Sequence, residues 1–158
     1  GKEDGRGYSV NLPLAAYTDD ETYLKAFDAV VPPLVEAFGA DFMVSQLGVD
    51  AHYMDPLTHL SLTTAGYEAL FARIKKMAKG KWIAVGGGGY SLEAVPRAWT
   101  LAFAEMAGVK LPDLSASGIC LRDREAPRPS AEEMAYVREY AARSVAGIRE
   151  KVFPYHGL

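Results

Sequence analysis

The sequence predicts an α/β domain built on a parallel sheet, and two observations carry that expectation. The almost wholly apolar runs at 42–47 and 82–86 are too short for helices and read as strands buried on both faces. Longer segments with apolar residues every three or four positions alternate with them, and strand–helix alternation is the mark of a parallel sheet. A third strand is expected at 8–12. With 158 residues the chain is one domain or part of one. About three strands beside three or four helices make a thin sheet, a first sign that strands are missing.

Each helix has its own local signals. Thr18-Asp19-Asp20-Glu21 is a capping box opening a helix with Leu24, Phe27, Val31, Leu34 and Phe38 on one stripe. Pro32 and Pro33 predict a kink in it, and Gly39 suits its C-cap. Thr63 or Thr64 opens the next helix, with Leu70, Phe71, Ile74 and Met77 inward, cationic Lys75, Lys76 and Lys79 in its last turns, and Gly80 as its stop. Pro96 suits the first turn of a third helix, which places Trp99, Phe103 and Met106 on one face and ends at Gly108. Residues 108–129 read as an irregular connection. Ser130-Ala131-Glu132-Glu133 is a second capping box, before a helix with Met134, Val137, Ala141 and Ile148 inward.

Composition excludes several classes. The chain is 49% hydrophobic and 23% charged, close to an average globular protein and unlike a disordered tail. Seventeen basic residues against 20 acidic ones give a net charge of −3, and no stretch is basic enough for a nucleic-acid footprint. Cys120 is the single cysteine, so no internal disulfide forms, and a reducing, cytoplasmic setting is expected. No apolar run approaches the ~18 residues of a membrane span. Gly1-Lys2-Glu3-Asp4-Gly5 is not a signal peptide. No membrane association is expected.

Chemistry belongs at the carboxyl ends of the strands, where open α/β sheets bind ligands. The first strand leads to Gly48-Val49-Asp50-Ala51-His52, the second to Gly86-Gly87-Gly88-Gly89-Tyr90. Neighbouring strands would bring Asp50 and Tyr90 to one crevice. On an extended chain Asp50 and His52 point the same way, with Asp55 and His59 close behind, and carboxylate with imidazole suits a divalent metal. The plainer reading makes Asp50 a turn cap and both histidines loop residues. The glycine run fails the dinucleotide fingerprint, because Ser91 stands where its third glycine belongs, and it lacks a P-loop lysine. Glycines also permit close backbone approach and leave the following side chain free. Tyr90 is then either an oxyanion donor beside a metal or a core residue packed on Trp99.

These segments together resemble a known family. Leu47-Gly48-Val49-Asp50, Asp55-Pro56-Leu57, Leu62-Thr63-Thr64 and Gly86-Gly87-Gly88-Gly89-Tyr90 with Arg97-Ala98-Trp99 are similar to the second half of a zinc-dependent histone deacetylase-type amidohydrolase. The stretch from Asp50 to Leu60 resembles the bacterial acetoin utilization deacetylases, and Gly7-Tyr8-Ser9-Val10-Asn11 also fits. The matches run in family order to about residue 107. The resemblance implies the C-terminal portion of an arginase/deacetylase-like three-layer fold, a parallel sheet flanked by helices. Residues 1–158 would form part of one domain, with the motifs in 1–107 and a connection and terminal helix in 108–158.

Carried over, the resemblance makes Asp50 a zinc ligand and Tyr90 the donor to the scissile carbonyl. Leu57, Gly88 and Gly89 become walls of the acyl-lysine tunnel. The Tyr8 carbonyl becomes a weaker match to a structural monovalent cation site, K⁺. His52 and His59 match no ligand. The substrate would be an acetylated protein lysine or an acetylated small amine, yielding acetate and a free amine. The family's other two zinc ligands and its His–His pair lie in the first half, whereas this chain has only His52, His59 and His156. The missing N-terminal half of the domain is therefore an expected partner, and the chain alone is expected to be inactive. The rival readings are an inactive or partner-binding fragment and a nucleotide-binding domain using the glycine run.

Overall fold

The computed structural model describes residues 1–112, 114–127 and 129–158. Asp113 and Arg128, both within the expected irregular connection, lie outside the described residues. The main elements are α1 (Asp20–Phe38), β1 (Met43–Gln46), α2 (Thr64–Ala78), β2 (Trp82–Val85), α3 (Ala94–Ala107) and α4 (Ala131–Lys151). Short 3₁₀ turns occupy Glu3–Gly5, Ser115–Ser117 and Phe153–His156. Strands β1 and β2 pair in parallel, Met43 opposite Trp82 and Gln46 opposite Val85, as expected. Among the described residues no helix is long and apolar enough to cross a membrane.

The main core lies between one face of this sheet and helices α2 and α3. Phe71 is 1% exposed and packs in one cluster with Leu47, Val49, Leu62, Leu70, Ala98 and Leu101. Burying a side chain of that size contributes about 1.5–3 kcal/mol. Met43, Ser45, Trp82 and Ala84 face this core, and the Trp82 indole N–H donates to Ser45 Oγ at 2.7 Å. The expectation of two buried faces is corrected. Strand burial alternates, and Val44 and Ile83 on the outer face are 65% and 50% exposed.

The segment 8–12 is not a strand. Its Val10 and Leu12 instead pack as coil against a second cluster of Val30, Ile148 and Phe153, where α1 meets α4 and the last turn. That contact holds the segment on the helices. The α1 stripe forms, with Leu24 and Phe27 packed on the main core and Leu34 on the second cluster, but its residues are only partly covered. Thr22, Ala26 and Val30 are the buried residues of the helix, while Phe27, Val31, Leu34 and Phe38 line an open 490 Å³ hollow shared with Val44 and Tyr8.

Helix ends follow the local chemistry closely. Asp19, not Thr18, caps α1, accepting from the Thr22 N–H at 2.9 Å. The Thr18 hydroxyl is buried and donates to the Ala15 carbonyl at 2.7 Å. The helix runs unbroken through Pro32 and Pro33 to a left-handed Gly39. Thr63 caps α2, and Asp20 ties the two helix starts together by accepting from the Thr63 N–H and hydroxyl at 2.8 and 2.6 Å. The Ser130–Glu133 capping box forms in full. On α3 the inward face is Ala94, Ala98, Leu101, Ala102 and Ala104, and the face of Trp99 and Phe103 is the exposed one. The alanines let α3 approach α2 closely, and the aromatic residues Trp99 and Phe103 are turned outward.

Candidate active site at the carboxyl end of the sheet

The backbones following β1 and β2 interlock. The Leu47 N–H donates to the Val85 carbonyl at 2.8 Å, and the Val49 N–H to the Gly88 carbonyl at 2.6 Å. Parallel pairing therefore continues past the strands and brings Asp50 beside the glycine run. Gly48 and Gly88 lie directly against the Asp50 carboxylate, and a Cβ at Gly88 would occupy its position. Gly89 has φ +136°, a conformation open to glycine, and its backbone abuts Val49 and Val95. The run thus admits the Asp50 side chain and then turns the chain into Tyr90.

A buried carboxylate fixes that turn. Asp55 Oδ2 accepts from the Tyr90 N–H at 2.8 Å, and Oδ1 accepts from the Leu57 and Thr58 N–H groups at 2.9 and 3.2 Å. The Thr58 hydroxyl closes the loop by donating to the Asp50 carbonyl. Asp55 therefore joins the Asp50 loop to the backbone of Tyr90. The Tyr90 side chain is 57% exposed, and the Trp99 ring lies over Gly86 instead, its N–H donating to the Leu47 carbonyl at 2.9 Å. Tyr90 is accordingly not a core residue packed on Trp99. Leu57 is also exposed, on the loop that Asp55 organises. Tyr8 sits elsewhere, edge-on to His156 at 4.9 Å and to Phe38 at 6.0 Å.

The pairing of Asp50 with His52 does not form as expected. Asp50, Ala51, Tyr53 and Met54 lie in turns, and His52 between them makes an isolated bridge to Leu62. The His52 ring is fully buried; the Met54 N–H donates to its Nδ1 at 3.2 Å and its Nε2 faces Asp123 Oδ2 at 3.0 Å. His59 is exposed, and its carbonyl accepts from the Tyr17 N–H at 2.6 Å. His52 is thus a buried, doubly bonded residue and not the loop residue of the plainer reading, while His59 is an exposed loop residue that contributes its backbone carbonyl.

Asp123 is the residue that sequence reasoning missed. It comes from the stretch read as an irregular connection, yet its side chain is buried beneath the Asp50 loop. Burial would raise its pKa, but hydrogen bonds from the Thr64 N–H and hydroxyl and from His52 outweigh this and hold it at about 2. Arg97 adds an ion pair at 2.8 Å. Nearby, burial raises the hydroxyl pKa of Tyr23 and Tyr67, and the Asp50 charge adds to both shifts.

Asp50 is a carboxylate suited to a divalent cation. Among the described residues, however, no group of three or more His, Cys, Asp or Glu is placed to hold a metal ion. The glycine run is also a poor phosphate cradle. Gln46 fills the space at Gly87, and the Asp50 carboxylate stands against Gly88, where it would repel an anion.

Comparison with known proteins decides the family. A model of the histone deacetylase domain matches residues 1–106. The chain belongs to the histone deacetylase family. The acetoin utilization protein AcuC of Bacillus subtilis (strain 168) is 46% identical over 114 residues, 69% of this chain and 30% of that protein. AcuC of Staphylococcus xylosus is 43% identical over 117 residues, 71% of this chain and again 30% of that protein. The chain thus spans about a third or less of these relatives. The crystal structure of the HDA15 HD domain superposes with a TM-score of 0.76 at 26% identity, covering 99% of this chain and 39% of that one. An HDAC homologue complexed with SAHA gives 0.73 at 24% identity over 92% and 44%, a likeness of fold. The α/β deacetylase fold expected from the sequence is the fold observed.

Proposed function

We propose that this chain forms the part of a zinc-dependent deacetylase that supplies one metal ligand and the oxyanion donor. The substrate class is an acetylated lysine of a protein or an acetylated small amine, and the setting is cytoplasmic. The observation that carries this reading is the interlock at the sheet end. Asp50 stands against Gly88, and two residues later the backbone of Tyr90 is pinned by Asp55.

In this reading the Asp50 carboxylate binds the metal. Bound zinc would supply Lewis-acid polarisation of the amide carbonyl and an activated water. The Tyr90 hydroxyl, held free of the core, donates to the carbonyl oxygen as negative charge develops there. Leu57, Gly88 and Gly89 wall the channel for the acyl-lysine stem, and the Tyr8 carbonyl contributes to a K⁺ site. The proton-accepting histidines come from outside this chain. The three histidines of this chain, His52, His59 and His156, include no adjacent pair, and His52 is bonded at both ring nitrogens, which supports reading the chain alone as inactive.

The test is a chimera in which this chain replaces the matching segment of the Bacillus subtilis relative. The chimera is expected to bind zinc and release acetate from an acetyl-lysine peptide, and Asp50→Ala to lose both. Zinc content and turnover unchanged by Asp50→Ala would overturn the assignment.

A further inference from the structure

We propose that Asp123 is a positioning residue for this site: its one buried carboxylate holds the Asp50 loop and the start of α3, which follows Tyr90, in a fixed relation. The proposal rests on the reading that Asp50 and Tyr90 act together.

The two oxygens of Asp123 gather both arms: Oδ2 takes His52 and Thr64, and Oδ1 takes Arg97 of the helix arm at short range and Tyr53 of the loop arm at a longer one. Oδ2 accepts from the Thr64 N–H at 2.7 Å and the Thr64 hydroxyl at 2.8 Å, and faces His52 Nε2 at 3.0 Å. The Met54 N–H occupies His52 Nδ1, which leaves the ring proton on Nε2, directed at Asp123. Oδ1 accepts from Arg97 Nη1 at 2.8 Å and the Tyr53 hydroxyl at 3.4 Å. The Asp123 N–H donates back to Thr64 Oγ1 at 2.8 Å, which fixes the backbone as well as the side chain.

Each arm ends close to a site residue. His52 lies two residues beyond Asp50 in the chain. Arg97 Nε donates to the Glu93 carbonyl at 3.0 Å, three residues beyond Tyr90. Neither arm has room for slack: the His52 ring is 0% exposed, and the Arg97 side chain 12%. Asp123 also lies outside the residues matched by the family model, so this clamp is supplied by the segment in which the sequence carries least signal.

The split between the oxygens gives the experiment. Amide hydrogen exchange is measured by NMR on this chain, without metal or substrate, for the wild type, Asp123→Ala and Asp123→Asn. The Met54 and Leu62 amides report the loop arm, because they bond His52 Nδ1 and the Ala51 carbonyl. The Tyr90 and Val95 amides report the helix arm, because they bond Asp55 and the Ser91 carbonyl. Val137 and Ala141 in α4 report global opening.

Asp123→Ala is expected to accelerate exchange in both arms by about tenfold or more relative to α4. Asp123→Asn retains an oxygen for His52 and Thr64 but turns an N–H₂ group toward Arg97, and toward a Tyr53 hydroxyl that keeps the Glu125 carbonyl as its acceptor at 3.1 Å. It is expected to accelerate the helix arm and spare the loop arm, and to keep the Nε2–H signature of His52 in ¹⁵N shifts. Uniform acceleration that tracks α4 in both variants, or no local acceleration in either, would overturn the clamp. Neither result touches the deacetylase reading, which stands or falls on zinc and turnover in the chimera.

Discussion

The two faces of the β1–β2 sheet region are held very differently. At the carboxyl end and inner face, polar and apolar contacts converge: Asp55 takes three backbone N–H groups, Asp123 takes His52, Thr64 and Arg97, and Phe71 fills the space beneath. On the outer face Phe42, Val44, Ile83 and Val85 are exposed beside an apolar hollow under α1. The contrast separates what this chain organises by itself from what it leaves uncovered. The backbone around Asp50 and Tyr90 is built from within the chain, while the apolar outer face is a candidate for association.

The comparison breaks most readily at Asp55. Asp55→Ala strips the acceptor from the Leu57, Thr58 and Tyr90 N–H groups, and each donor left unsatisfied costs about 1–3 kcal/mol. Urea unfolding of the variant is expected to show a loss of about 2–4 kcal/mol. A loss below about 0.5 kcal/mol would mean that the Asp55 link carries no strain of the loop.

Asp123 sharpens the same side through pH. Its folded pKa of about 2 lies below the ordinary carboxylate value, so its stabilisation is present above the unfolded pKa and is lost as pH falls through about 2. The stability gap between wild type and Asp123→Asn is therefore expected to be on the order of 2 kcal/mol at neutral pH and to shrink steadily below about pH 4. A gap that is constant across this window in acid-titrated urea curves would contradict the assigned ionisation.

The outer face is expected to give the smallest change in stability. Val44→Lys places a charge where the side chain already meets solvent, so unfolding free energy is expected to stay within about 0.5 kcal/mol of wild type. Sedimentation is the informative readout, because large exposed apolar patches drive association. Wild type is expected to self-associate and Val44→Lys to do so less.

Features set by near neighbours were legible in the sequence. Ser130 and Glu133 stand three apart and satisfy one another, and Gly39 and Gly108 end helices because each adopts the left-handed conformation. At α1 the capping box read at Thr18 does not form: the neighbouring Asp19 takes the cap, and Thr18 turns inward to Ala15. The adjacency of Asp50 and the glycine run was legible because parallel pairing aligns the strand ends. Which face of α3 turns inward was not legible, since Trp99 and Phe103 are the more apolar in size and the alanines the better fit against α2. Asp123 was beyond reach for a clearer reason. Its partners are 26 to 71 residues away in the chain, and in Arg122-Asp123-Arg124-Glu125 nothing local marks which charge is buried.

The most direct measurement of the functional account concerns Tyr90. Tyr90→Phe in the chimera keeps the ring and removes only the hydroxyl, so folding and zinc content are expected to match the parent. The oxyanion donor acts mainly in the transition state, and removing one such donor costs about 10²–10³ in turnover. Turnover of an acetyl-lysine peptide is therefore expected to fall by about that factor with the metal in place. Near-parental turnover with zinc bound would show that Tyr90 is not the oxyanion donor.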